Sequence, residues 1–195
     1  IKITCFSFSR SEFGLMKNLL FDLKKDKRFI LNLIIGGSHV SQSFGKTIKE
    51  IKESKIRISK ALSTKIDNSS SLKICSFLSR STKEISKMLF KDNPDIILIM
   101  GDRYELLPLV NVSSIYNIPI AHISGGELTE GAIDDNIRHA VTKFSHLHFV
   151  ANEEFKNRVK QLGEEEWRIK ISGEPGVEKI INIKKINKKK IKKEI

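Results

Sequence analysis

The stretch Asp95-Ile96-Ile97-Leu98-Ile99-Met100-Gly101-Asp102-Arg103 decides the fold. Residues 96–100 are all apolar, with no alternation. A strand of that kind is covered on both faces, as a central strand of a parallel sheet is. Gly101 ends the run, and a carboxylate and a guanidinium follow at once. Upstream, residues 1–8 and 29–35 read as strands. Between them residues 11–25 read as a helix with Leu15, Leu19, Leu20 and Leu23 on one face. Residues 44–53 are expected to be helical, 56–58 a short strand, and the Ser-rich 60–72 a mobile loop. Residues 74–90 predict a helix burying Leu78, Ile85, Met88 and Leu89, broken by Asn93-Pro94.

Downstream the alternation continues. Residues 103–116 predict a helix that tolerates Pro108 near its start. Strands follow at 118–123, 146–150 and 168–172, with a helix over 133–144 and another capped by Asn152 and closed near Gly163. Strands alternating with helices predict an α/β fold, a Rossmann-like doubly wound parallel sheet. Ligands of such sheets bind at the carboxyl ends of the strands. Arg10, then Gly36, Gly37 and His39, then Asp102, then residues 124–135, then Gly173-Glu174-Pro175-Gly176 all fall at those ends.

The segment after the fifth strand is the densest in chemistry. His122-Ile123-Ser124-Gly125-Gly126-Glu127-Leu128-Thr129-Glu130-Gly131-Ala132-Ile133-Asp134-Asp135-Asn136-Ile137-Arg138-His139 carries four carboxylates, one arginine and two histidines. Crowded carboxylates raise one another's pKa, which makes an acid or base competent near neutral pH. One of Asp134 and Asp135 is expected to charge the helix start, and Arg138 to pair with a loop carboxylate or hold a phosphate. Asp102 reads as a helix N-cap, a catalytic carboxylate or both. Arg10 suits an anion or a surface ion pair. Gly36-Gly37 would let backbone approach a ligand, although no complete dinucleotide or Walker pattern is present. His146 and His148 read as packing groups, His139 as nearer the site, and Trp167 as packing at a helix–strand corner.

Composition narrows the classes. The net charge of +12 invites nucleic acid, but seven Lys and one Glu lie in the last fourteen residues, so the body is only mildly basic. That tail has no aromatic side chain for base stacking. It reads as a solvated linker helix, with Ile180, Ile181, Ile183, Ile186 and Ile191 loosely on one face, or as an anion-binding arm. No apolar run reaches the roughly 20 residues of a membrane span, and the first residues show no signal-peptide pattern. Cys5 and Cys75 are expected to be buried free thiols, which fits a reducing cytoplasm. Neither a nucleic-acid nor a membrane partner is expected.

Several motifs together resemble a known family. They are Gly101-Asp102-Arg103-Tyr104-Glu105, Ile118-Pro119-Ile120-Ala121-His122-Ile123 with Gly125-Gly126-Glu127, and Ile133-Asp134-Asp135 through Arg138-His139-Ala140 with Thr142-Lys143. Ser145-His146-Leu147-His148-Phe149 and Gln161-Leu162-Gly163-Glu164 belong with them, and Ser9-Arg10-Ser11-Glu12-Phe13-Gly14 is a variant of the opening segment. The chain is similar to the hydrolysing UDP-N-acetylglucosamine 2-epimerases of sialic and nonulosonic acid synthesis, over roughly residues 1–181 and most specifically over 95–176.

That resemblance implies the N-terminal half of a glycosyltransferase-B-like enzyme. Residues 1–177 would be a Rossmann-like domain, residues 178–195 a Lys-rich interdomain linker or truncated tail, and the C-terminal nucleotide-binding domain absent. It implies conversion of UDP-N-acetylglucosamine to N-acetylmannosamine and UDP by elimination and hydration, without metal or other cofactor, by a homodimer when full length. It assigns Asp102, Asp134 and Glu127 to catalysis. It assigns Arg10, Gly37, His39, Ser124, Gly125, Gly126, Arg138 and His139 to substrate binding. Many members carry Glu or His where this chain has Ser124, and serine is not a comparable acid. Either Glu127 takes part or the substrate differs, UDP-N,N'-diacetylbacillosamine being the alternative. A glycosyltransferase on the same fold and a non-catalytic module with a basic tail are the other readings. The half alone is expected to be inactive.

Overall fold

The computed structural model describes residues 1–41 and 47–177. In chain order they form β1 (Lys2–Ser7), α1 (Arg10–Lys25), β2 (Ile30–Ile35), α2 (Ile48–Glu53), β3 (Ile58–Ala61), α3 (Ser71–Asp92) and β4 (Ile96–Met100). Then come α4 (Leu106–Ile115), β5 (Ile120–Ile123), α5 (Ile133–Phe144), β6 (Leu147–Val150), α6 (Glu153–Gln161) and β7 (Ile169–Ile171). The strands pair in parallel in the order β3-β2-β1-β4-β5-β6-β7. The winding reverses between β1 and β4, so the sheet is doubly wound, as the alternation predicts.

The central run behaves as its composition demands. Ile97 and Ile99 point into one layer with α3, α4 and α5, where Ile85, Leu109 and Val141 are fully buried. Leu98 and Met100 point into the other, against α1 and α2 with Met16, Leu20 and Ile51. Burying a Leu or Ile side chain contributes roughly 1.5–3 kcal/mol, so these two layers dominate stability. Local signals fix the ends. Ser9 and Glu12 form a reciprocal capping box at α1. Ser70 caps α3, and Asn93 leaves it in a left-handed conformation.

Some expectations shift. Helix α4 begins at Leu106, and residues 101–105 form a turn instead. Asp102 is therefore not its N-cap. The segment 60–72 is tied down: Ser63 and Thr64 donate backbone N–H groups to Glu84 at 2.6 and 3.0 Å, and Leu62 and Ile66 are buried. Strand β3 lies at Ile58–Ala61 because its pairing follows β2 rather than the nearest apolar pair. Phe77, not Leu78, is buried on α3. Cys5 is buried but Cys75 is exposed. Trp167 is exposed and lies over the Arg168 guanidinium at 5.1 Å instead of packing in a corner. The predicted start of the second helix and the tail 178–195 lie outside the described residues.

Candidate active site

At the reversal point, the carboxyl ends of β1, β4 and β5 and the start of α5 enclose a cleft of about 460 Å³. Gly101, with φ of +82°, turns the chain out of β4 and presents Asp102. Helix α5 sends Ile137 and Val141 into the core, and that register turns Arg138 back towards the sheet edge. Arg138 is almost wholly buried. It donates to Asp102, to Glu127 Oε2 at 2.7 Å, to the Ser124 carbonyl at 3.1 Å and to Thr129 Oγ1 at 2.8 Å. One guanidinium thus joins the β4 turn to the β5 loop. Charge-assisted bonds to a fixed fork hold both carboxylates in defined directions. Arg138 thus has two carboxylate partners in this structure.

Asp134 lines the same cleft in the first turn of α5. Asp135 does not. It accepts the Thr129 backbone N–H at 3.1 Å and faces His139 Nε2 at 3.6 Å, so it is the acid that ties the loop to the helix. Glu130 is exposed. Ser124 lines the cleft in a left-handed conformation, φ +66°, and is buried.

The structure therefore gathers Asp102, Glu127, Asp134, Ser124 and Arg138. The remaining residues lie around them. A Cβ at Gly126, φ +77°, would stand 2.4 Å from the Phe155 carbonyl oxygen, and one at Gly125 3.2 Å from His122 Nδ1. The glycine pair thus makes room for α6 and for His122. A Cβ at Gly37 would come within 2.7 Å of the Phe8 carbonyl oxygen, so close packing of chain on chain requires that glycine. His39 is buried behind the cleft, bonded to Ser7 Oγ at 3.0 Å and Thr47 Oγ1 at 2.8 Å, and burial pushes its pKa down to about 4. Arg10 opens α1 with its side chain largely exposed and pairs with Glu50 at 2.6 Å. His139 stands beside Asp135, on α5 outside the cleft lining.

Sequence reasoning missed the part of the wall contributed by Glu12 and Glu105, which Arg103 and Glu174, both at strand ends in the sequence, complete. Arg103 Nη2 donates to the fully buried Glu105 at 2.5 Å, and its Nε lies 3.8 Å from Glu12. Burial pushes the Glu12 carboxyl up to about 7, against the lowering effect of the Phe8 N–H it accepts at 2.6 Å. The signal was available: Ser9-x-x-Glu12 is a capping-box pattern that places Glu12 directly after β1. The raised carboxyl thus lies outside the acidic loop where crowding suggested it. His122 and His148 are buried packing groups, with His122 Nε2 2.8 Å from the Gly101 carbonyl and His148 Nε2 3.2 Å from Glu164. Burial pushes His122 down to about 4.

The cleft is lined by six carboxyl groups and two guanidinium groups. Such an acidic wall suits proton transfer on a neutral, hydroxyl-rich substrate better than direct contact with a diphosphate. Among the described residues no group of three or more His, Cys, Asp or Glu side chains is placed to hold a metal ion. No described helix is long and apolar enough to cross a membrane.

The fold and its cleft define a Rossmann-like α/β domain of the glycosyltransferase-B kind. A lipopolysaccharide outer core galactosyltransferase, WaaB, shares it with a TM-score of 0.58 at 11% identity, over 89% of this chain and 45% of that one. Residues 22–195 match the family model described as UDP-N-acetylglucosamine 2-epimerase, and the chain belongs to that family. It is 41% identical over 192 residues to the GDP/UDP-N,N'-diacetylbacillosamine 2-epimerase (hydrolyzing) of Campylobacter jejuni, covering 98% of this chain and 50% of the relative. It is 33% identical over 177 residues to the UDP-N-acetylglucosamine 2-epimerase of Neisseria meningitidis, covering 91% and 46%. The crystal structure of the Neisseria meningitidis enzyme bound to UDP-GlcNAc matches in fold with a TM-score of 0.78 at 18% identity, over 93% of this chain and 51% of that one. The chain spans about half the length of the curated relatives it matches.

Proposed function

We propose that this chain is the N-terminal half of a hydrolysing 2-epimerase of UDP-amino sugars. Residues 1–177 form its Rossmann-like domain, and 178–195 begin the passage to a second, nucleotide-binding domain. The observation that carries this reading is Arg138 holding Asp102 and Glu127 together at the sheet reversal, with Asp134 on the same wall. The sugar lies against this acidic wall. The diphosphate lies on the open side, against the second domain.

The C2–H proton goes to a carboxylate while the C1–O bond to UDP breaks, leaving a glycal. Water then adds its hydroxyl at C1, and a proton returns to C2 from the opposite face. The C2 hydrogen is not adjacent to a carbonyl, so positioning and electrostatics must carry the step. Asp134 is the acid–base residue and Glu127 its helper. Asp102, fixed by Arg138, defines the other side of the sugar. The relatives that match so well in sequence support this reading. Half a cleft cannot turn over, so residues 1–195 alone are inactive. The full-length protein works as a homodimer in the cytoplasm.

UDP-N-acetylglucosamine is the substrate that the family description favours. A second reading, UDP-N,N'-diacetylbacillosamine, is favoured by the higher identity to the Campylobacter jejuni relative, 41% against 33%. Ser124, where many family members carry Glu or His, supports the same reading. Turnover of the full-length protein with each UDP-sugar tests this. The preferred sugar should show a kcat/KM higher by at least about tenfold, a difference of ~1.4 kcal/mol. Asp134→Asn should lower kcat by about 100-fold or more. Release of UDP only when an acceptor sugar is added would establish a glycosyltransferase instead.

A further inference from the structure

Two guanidinium groups line the cleft, and they are held differently. Arg138 is 6% exposed and spends its donors on Asp102, Glu127, Ser124 and Thr129. Arg103 is 34% exposed. It donates from Nε at 3.1 Å and from Nη2 at 2.5 Å, both to Glu105 Oε1. A guanidinium carries five N–H donors in a rigid fork. Those of Nη1 and the second of Nη2 have no partner among the described residues. Anchored on the fully buried Glu105, the fork keeps this unused edge at the cleft.

Charge decides what the edge can hold. Glu105 neutralises Arg103 from one side, and the Glu12 carboxyl lies 3.8 Å from its Nε. Glu12 Oε1 and Glu105 Oε2 are buried with no hydrogen-bond partner among the described residues. The trio therefore offers no net positive charge, and its carboxyl groups disfavour a phosphate. A neutral acceptor suits it better, and an amide carbonyl presents two lone pairs to such a fork. Apolar surface stands close by. Leu15 follows Glu12 at i+3 on α1, and Met100 ends β4 three residues before Arg103; both line the cleft. A hydroxyl would use the donors and leave that surface uncovered, whereas an acetamido group uses both. Tyr104 is pushed up by burial and by the carboxylates of Glu105 and Asp134, so Asp134 lies within electrostatic reach of the residue beside Arg103.

We propose that Arg103 recognises the 2-acetamido group of the sugar, donating to its carbonyl oxygen while Leu15 and Met100 receive its methyl. This rests on the UDP-amino-sugar reading of the cleft. The acetamido group is bonded to C2, the carbon whose proton Asp134 takes, so gripping it fixes the reacting carbon against its acid–base residue. Glu105 and Glu12 position the fork from behind.

The test is isothermal titration of the full-length protein containing this chain, carrying Asp134→Asn throughout so that ligand is not turned over. The ligands are UDP-N-acetylglucosamine, UDP-glucose, which has a hydroxyl in place of the acetamido group, and UDP. Arg103→Met should weaken UDP-N-acetylglucosamine about 10- to 100-fold, the range of a hydrogen bond from a charged donor, and the other two less than about twofold. Arg103→Met strands the buried Glu105, so Arg103→Met with Glu105→Met, which removes both charges, is measured beside it and should show the same selective loss. An equal loss for all three ligands would overturn the proposal, since Arg103 would then serve the nucleotide. So would an unchanged ratio of UDP-N-acetylglucosamine to UDP-glucose affinity in the double variant. Absence of a C2-inverted product from the protein without substitutions would sink the 2-epimerase reading instead, and leaves these affinity ratios readable.

Discussion

Replacing Arg138 by Met removes the group on which the cleft turns. Its side chain is 6% exposed, and the carboxylates of Asp102 and Glu127 that it joins are 23% and 24% exposed. Removing one partner of a buried ion pair costs about 3–5 kcal/mol, because the other charge is left uncompensated. Here the stranded carboxylates can draw on solvent through the cleft, so the lower end applies, about 3 kcal/mol. For a chain of this size that lowers the melting temperature by roughly 6–12 °C. Thermal unfolding of both proteins by circular dichroism at pH 7 reads it directly. A gap below about 1 kcal/mol would refute the pairing.

Other substitutions isolate other parts of the account. Burial raises Glu12 from 4.5 to about 7, so its contribution is full below pH 4.5 and lost as pH rises to 7, on the order of 3 kcal/mol. Glu12→Gln should gain stability relative to wild type between pH 4.5 and 8 in urea unfolding, and a flat difference would contradict burial as the cause. His122 has the opposite sign: burial lowers it from 6.5 to about 4, so its stability is full above pH 6.5 and lost as pH falls. His122→Gln should therefore close on wild type as urea midpoints are followed from pH 7 to 4.5. Gly126→Ala should cost about 2–4 kcal/mol, because its Cβ meets the Phe155 carbonyl at 2.4 Å with φ at +77°. Lost sugar-nucleotide affinity with unchanged stability would instead make Gly126 a binding residue.

The layers of the fold were legible because buried strands and amphipathic helices announce themselves by period. The run 96–100 and the helical spacing around Ile137 and Val141 needed no tertiary information. Pairing was less legible. Strand β3 took its position from its partner β2, and α4 started late because Gly101 reverses the backbone before Asp102. The site divides in the same way. The strand-end rule placed Asp102, Glu127, Asp134 and Arg138 together, since topology alone delivers them. It could not tell which glycines face a ligand and which make room for a neighbouring helix, because that depends on contacts such as Gly126 against Phe155. Of the two alternatives open for Arg10, an anion or a surface ion pair, the structure displays the ion pair, with Glu50. Glu12 was passed over because a capping residue looks purely structural in sequence, although its carboxyl forms part of the cleft wall.

The most direct test follows the full-length protein containing this chain in heavy water, with each candidate UDP-sugar, by proton magnetic resonance. The expected result is release of UDP together with a free amino sugar inverted at C2 and deuterated there, because the C2 proton leaves and is replaced from solvent. Asp134→Asn should suppress both signals together. UDP release with C2 uninverted and still protonated would contradict the account.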